Sequence, residues 1–385
     1  MKLNFLKTAF IAASLVAVSC GDDDSPVDPG TGNEGVLQGT VLEGQITEDL
    51  LVPAGQYTLK GAVSVEDGAT LTVEAGTTFT VTAADQEAGV NVLFVKQGGK
   101  LIANGDANNP IVFTSENQNA DGGDGDWGGL VLHGKARMNA PGGTSNSEAG
   151  QFPYGGTDDS DSSGSLKYVR VEYAGQASSD GEFEFNAFSF FACGSGTIVE
   201  NCEAFEGADD GFEFYGGTVN AKNLSAVGME DDSIDWDEGF RGSIDNAVLY
   251  QYDGVGDFAF ELANRSGENN ASPRSKATVS NVTVRGSNRS GKAAFDLKQG
   301  TGGIFNNIVV TNVETVIFLN NQLQEVDNGD LEFTNANFTF GTNLIVNNVD
   351  DTDVTVIIAS LISTNATATG ADVSAFAGWS NYSSL

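Results

Sequence analysis

Between Gly196 and Asn264 the chain alternates apolar and polar residues in runs of about three to six, each closed by Gly or Asn. Phe212-Glu213-Phe214-Tyr215 and Ile234-Asp235-Trp236-Asp237 are two such runs. Their period is 2, which is that of a strand with opposite faces in different surroundings. No stretch here carries the 3.6-residue spacing of an amphipathic helix. Asn201, Asn223 and Asn246 recur at intervals of 22 and 23 residues, and Asn281 and Asn307 continue the series 26 residues apart. A period in the low twenties, with two or three short strands in each, predicts a solenoid. The fold class expected is all-β, a parallel β-helix of roughly a dozen coils stacked at about 4.8 Å. The recurring asparagines then form a ladder of side-chain amides from coil to coil.

The same register stacks acids. Asp209, Asp210 and Glu213 are followed one period later by Asp231, Asp232, Asp235 and Asp237, and then by Asp257 and Glu261. Phe212, Phe214, Trp236, Phe258 and Phe260 alternate with them. The alternation puts the aromatics inside the coil and the carboxylates on an exposed acidic stripe outside. Trp127, Tyr154, Tyr250 and Tyr252 are candidate exposed platforms for sugars.

Composition fits a folded protein of unusual acidity. The 385 residues carry 53 Asp and Glu against 18 Lys and Arg, a formal charge of −35, which makes anionic membrane surfaces poor partners and argues against nucleic acid. One histidine, His133, removes most His-based chemistry, and the chain shows no Ser-His-Asp triad spacing and no HExxH zinc motif. A hard, oxygen-seeking cation, Ca²⁺, suits what remains. The expected ligands are Asp209, Asp210, Glu213, Asp231, Asp232 and Asp235 on the stripe. A second set is Asp159, Asp161 and Ser163, which open a D-x-D-x-S-G loop. That loop departs from an EF-hand, because its twelfth position is Arg170. Asp121, Asp124 and Asp126 form a weaker acidic loop. Cys193 and Cys202 are a possible disulfide.

Domain organisation is legible at the amino end. Residues 1–19 have Lys2 and Lys7, then an apolar run too short to span a bilayer, the pattern of a signal peptide. Leu15-Val-Ala-Val-Ser-Cys20 resembles the lipobox of bacterial lipoproteins, which implies cleavage before Cys20 and its lipidation. Residues 20–36 read as an acidic flexible tether and 37–385 as the β-helix domain. Asp22-Asp23-Asp24 after the lipid cysteine resembles the surface-export signal of Bacteroidetes lipoproteins. Residues 322–385 are expected to cap the open end of the solenoid.

A wider resemblance rests on Asn109–Ser115, Gly125–Lys135, Leu166–Gly175, Asp209–Lys222 and Ala377–Ser380. From about residue 40 onward the chain resembles a family of Bacteroidetes surface lipoproteins with a right-handed parallel β-helix and no established activity. The resemblance implies an outer-membrane protein, anchored through Cys20 and facing the exterior. The partners expected are outer-membrane lipid and extracellular polysaccharide or surface proteins. A binding or scaffold role with Ca²⁺ sites is favoured over catalysis. The alternative is a polysaccharide lyase or glycoside hydrolase, with Arg241 and Arg265 near the stripe, but no catalytic residue can be singled out.

Overall fold

The computed structural model describes residues 35–82, 90–118, 125–178, 183–320, 323–347 and 361–384. Cys20, the signal peptide, nearly all of the tether, Asp121 and Asp124 lie outside them.

The chain winds into a right-handed parallel β-helix. Its coils stack strand on strand in one 23-stranded sheet folded into three walls. Among the described residues twelve strands follow one another in the first wall, from Gly35–Val36 through Leu50–Val52 and Thr70–Val73 to Ile362–Thr364. This agrees with the dozen coils expected. The second wall carries Thr78–Val81 and Ile111–Ser115. Long strands such as Ile198–Phe205, Asn220–Val227 and Ser243–Tyr250 run through both the first and second walls. The third wall stacks Val92–Val95, Leu130–His133, Phe188–Phe191, Phe212–Tyr215, Ile234–Asp237, Phe260–Leu262 and Ala293–Lys298.

The turn from first to second wall is made by the asparagines. Asn201, Asn223, Asn246, Asn281 and Asn307 have φ of 57°, 55°, 64°, 59° and 58°, a left-handed conformation that asparagine tolerates better than most residues. Their amides form the ladder: Asn223 donates to Asn201 at 2.8 Å, Asn246 to Asn223 at 2.7 Å and Asn307 to Asn281 at 2.8 Å. The ladder breaks between Asn246 and Asn281, where Asn281 donates instead to Asp245 at 2.7 Å.

Inside the coil the aromatics stack in register, as the alternation requires. Phe188 lies on Phe212 at 4.8 Å, Phe190 on Phe214 at 5.1 Å, Phe260 on Phe295 at 4.9 Å and Phe305 on Phe333 at 4.4 Å. Each such pair contributes about 0.5–1.5 kcal/mol beyond its buried area. Trp127 belongs to this core, fully buried with its indole N–H on Glu172 O, so it is no exposed platform.

Two segments are laid against the outside. The stretch after His133 folds a small antiparallel hairpin, Thr144–Asn146 with Pro153–Gly155, over the third wall. Met138, Ala149 and Tyr154 pack there on Phe94, Val131 and Phe191. Buried His133 fastens the hairpin through Ser147 Oγ at 2.9 Å and stacks on Phe191. The second segment corrects the expected cap. Residues 365–384 turn back as a strap along the asparagine corner, because Phe376 and Trp379 find a seat beside Val248 and Tyr168. Asp372 N–H donates to Asn246, Gly370 N–H to Asn307, and Asn381 N–H to buried Glu203 at 2.8 Å.

Cys193 and Cys202 are free, buried thiols and form no disulfide. Cys193 Sγ faces Leu132 O, whereas Cys202 Sγ faces Leu166 O in a different wall. Burial pushes both thiols up to about 12.

Candidate functional site

Strand alternation on the third wall places Ser189, Glu213, Asp235, Glu261 and Asp296 in one outward row, each beside the next. Asp210 and Asp232 stand at the corner just before this row. There Asp210 Oδ1 accepts Asp232 N–H at 3.0 Å, and Asp232 Oδ1 accepts Phe258 N–H at 2.7 Å. The carboxylates point outward as expected, but they are not the exposed stripe that the sequence suggests. Asp210 is 6% exposed and Asp232 2%, while Glu213, Asp235 and Asp237 are half-buried. Phe183, Glu184, Asn186 and the hairpin's Glu148 line the cavity with them, about 310 Å³ in volume.

Within it, three overlapping sets of carboxylates bring one oxygen per residue within 4.8 Å of one another: Asp209, Asp210 and Asp231; Asp210, Glu213 and Asp235; Asp232, Asp235 and Glu261. Asp235 Oδ1 and Asp237 Oδ1 are buried with no hydrogen-bond partner. Among the described residues, Asp209, Asp210, Glu213, Asp231, Asp232 and Asp235 form no ion pair. The neighbouring cations are spent elsewhere: Lys298 on Glu261 at 2.6 Å, Arg265 on Glu238 at 3.6 Å, and Arg289 on Asp257.

Desolvation is the main cause of a rise in pKa across the group, and repulsion from the neighbouring carboxylates adds to it. Asp209 is pushed up to about 8 and Asp231 to about 6. Asp210, Glu213, Asp232, Asp235 and Asp237 are raised for the same reasons. Two arrangements relieve such a cluster: protons held on the carboxyls, or cations among them. The donor set is all hard oxygen, and orphaned buried oxygens point to a missing partner, so the residues fit Ca²⁺.

The D-x-D-x-S loop does not form a ligand set. Asp159 is taken by Arg137 and Arg241, which hold its carboxyl well below the usual range. Asp161 accepts Lys135 N–H at 2.8 Å, and Ser163 Oγ lies by Cys193. Asp257 leaves the stripe as well, held by Arg289 and Lys292. Asp126 accepts a hydrogen bond from Ser115. Tyr154 is buried against Glu238, and Tyr250 is covered by Arg285 and the strap's Tyr382.

Sequence reasoning missed Glu148, Glu184, Asn186 and Tyr215. Tyr215 Oη lies 2.6 Å from Glu148 and 2.5 Å from Glu213, and Asn186 donates to Glu213. Glu148 sits in a Gly- and Ser-rich insert that carries no periodic signal. It also missed a neighbouring cleft of about 570 Å³, with Val92, Phe94, Phe183 and Phe185 on its walls and Glu148 on its rim.

These features define a solenoid of the parallel β-helix class with an acidic cavity on the outside of its third wall. The chain belongs to the pectate-lyase-like β-helix domain family, whose profile matches residues 44–382. No curated protein matches it. Among solved structures it is similar to the A-module of the Azotobacter vinelandii mannuronan C-5 epimerase. That likeness has 10% identity and a TM-score of 0.38, and covers 83% of this chain and 91% of that one.

Proposed function

We propose that this is a lipid-anchored cell-surface protein that binds extracellular polysaccharide through Ca²⁺ held by the carboxylates of the third wall. The observation that carries the reading is the union of two cavities. The acidic one and the aromatic cleft share Glu148 and Phe183 on their linings. One ligand spanning both meets cations at one end and the T-shaped pair Phe183–Phe185 at the other. A sugar has that duality, with an apolar ring face and oxygens that complete a calcium shell. Asp210, Glu213, Asp232 and Asp235 would hold the ion. The ion supplies neutralisation of the cluster and open positions for sugar oxygens.

The family's description names a lyase, and catalysis is the competing reading. A lyase needs a base that has lost its proton, a neutral Lys or Arg or a tyrosinate. Lys298 is held charged by Glu261, burial pushes Tyr154 and Tyr215 up, and Arg265 is paired with Glu238. This favours binding. The anchor rests on Cys20 and the surface location on Asp22 to Asp24, both from the sequence pattern.

Three measurements test the reading. Millimolar CaCl₂ against EDTA should raise the melting temperature of the mature chain, since a ligand at 100 times its Kd adds about 2.7 kcal/mol. Asp235→Asn should remove most of that rise, and a melting curve indifferent to calcium would sink the metal site. Affinity electrophoresis through anionic and neutral polysaccharides with calcium should retard the wild type and not Asp235→Asn. Labelled palmitate should enter the wild type and not Cys20→Ala, and the labelled protein should be open to protease on intact cells.

A further inference from the structure

The break in the asparagine ladder opens a third cavity, on a different corner from the acidic one. It holds about 630 Å³ and lies between the ladder and the strap, within the size of ordinary small-molecule sites. Asn223, Asn246, Asn281 and Asn307 form its floor, Gly370 to Asp372 its roof, and Lys222 and Asp245 its rim.

The break has a simple origin. The coil after Asn246 carries the long excursion through residues 251–277, and the next ladder residue comes only at Asn281. Asn246 turns to the strap: its Oδ1 accepts Asp372 N–H and its Nδ2 donates to Asp372 O at 3.3 Å. Asn307 is likewise filled, by Gly370 and Asn281. Asn223 and Asn281 are not. Each gives one N–H, to Asn201 and to Asp245, and a side-chain amide has a second. Lys222 forms no ion pair among the described residues, although it stands in register between Glu200 and Asp245.

The chemistry on offer is therefore polar and close to neutral. It comprises amide N–H donors, one ammonium and the carboxylates of Asp245 and Asp372, set on a lattice that repeats with the coils. The apolar part of the lining is made of small groups, Ala371 and Ala375 beside Gly370, so lipids and aromatic ligands find no large hydrophobic side chain to pack on. Polyanions and polycations meet charges of both signs. Vicinal hydroxyls, each both donor and acceptor, match this mixture. We propose that the cavity under the strap is a saccharide site, taking neutral hydroxyl-rich sugar units without a cation. It is independent of the third-wall site.

The test is saturation-transfer NMR on the mature chain in EDTA, with maltose, cellobiose and lactose as probes at millimolar concentration. Transfer to at least one of them is expected. Lys222→Ala removes an exposed side chain and should weaken that binding about tenfold, the scale of one hydrogen bond to a charged group. Ala375, which lines the cavity from the strap, also packs beside Phe376 and Trp379, so Ala375→Phe should abolish transfer while some melting temperature is lost and the β-sheet circular dichroism at the assay temperature stays that of the wild type. No transfer to any of the three, or transfer that Ala375→Phe leaves intact, overturns the proposal. Transfer that needs calcium and disappears in Asp235→Asn also overturns it, because it locates the sugar on the third wall. Failure of the calcium melt leaves this site untouched, so the two readings fail separately.

Discussion

A single corner residue carries two duties in this solenoid. Asn223 holds a left-handed φ of 55° and both gives and receives a ladder bond. Alanine there keeps neither, and the backbone alone resists the conformation by about 1–2 kcal/mol. Each hydrogen bond adds roughly 1 kcal/mol. Asn223→Ala should therefore cost on the order of 3 kcal/mol in urea unfolding. Asn223→Gly should cost clearly less, because glycine accepts the φ and loses only the bonds. Equal losses would mean that the ladder, not the turn, is what matters. The two thiols act at the same scale in the opposite sense. Buried and pushed up to about 12, Cys193 and Cys202 should ignore a thiol reagent until the chain unfolds.

The third wall behaves as a unit because its carboxylates face one another across coils. The folded state holds protons on Asp231 up to about pH 6 and on Asp209 up to about pH 8. The unfolded chain releases them near pH 4. A carboxyl raised in this way contributes stability at low pH and loses it as pH rises through the folded value. His133, pushed down to about 4 by burial, works the other way, but only below its unfolded value of about 6.5. Between about pH 6.5 and 9 the metal-free protein should therefore lose melting temperature, and saturating calcium should flatten the slope. A flat metal-free profile would show that the cluster is not protonated. The sequence made much of this wall legible. Period 2 assigned Phe212, Phe214, Trp236 and Phe260 to the interior and the acids to the outside. It could not show that the outside is covered. Phe183, Asn186 and the hairpin's Glu148 close in on the same cavity as Asp210 and Asp232, and their packing has no period to read. The D-x-D-x-S spacing misled for a related reason. It records ligand types but not the competing guanidinium groups of Arg137 and Arg241, which the fold brings to Asp159 from 22 and 82 residues away.

At the scale of the molecule, stacking makes each coil depend on its neighbours alone. The strap is the exception. It ties residues 365–384 back to coils that hold Tyr168, Glu203 and Asn246. Trp379→Ala empties a fully buried seat, a change that ordinarily costs about 3–5 kcal/mol. Limited proteolysis of that variant should cut first within residues 365–384, leaving the coils intact. Simultaneous digestion of the whole chain would mean that the strap is no separate unit. The strap is also a ruler. Its N–H groups meet Asn307, Thr283 and Asn246 in turn before Trp379 reaches its seat. A duplicated coil between Tyr168 and Asn307, harmless in an open-ended repeat, would put those marks out of step. The length of this solenoid is thus written into the strap of residues 365–384, and its descendants are freer to grow ahead of Tyr168 than between Tyr168 and Asn307.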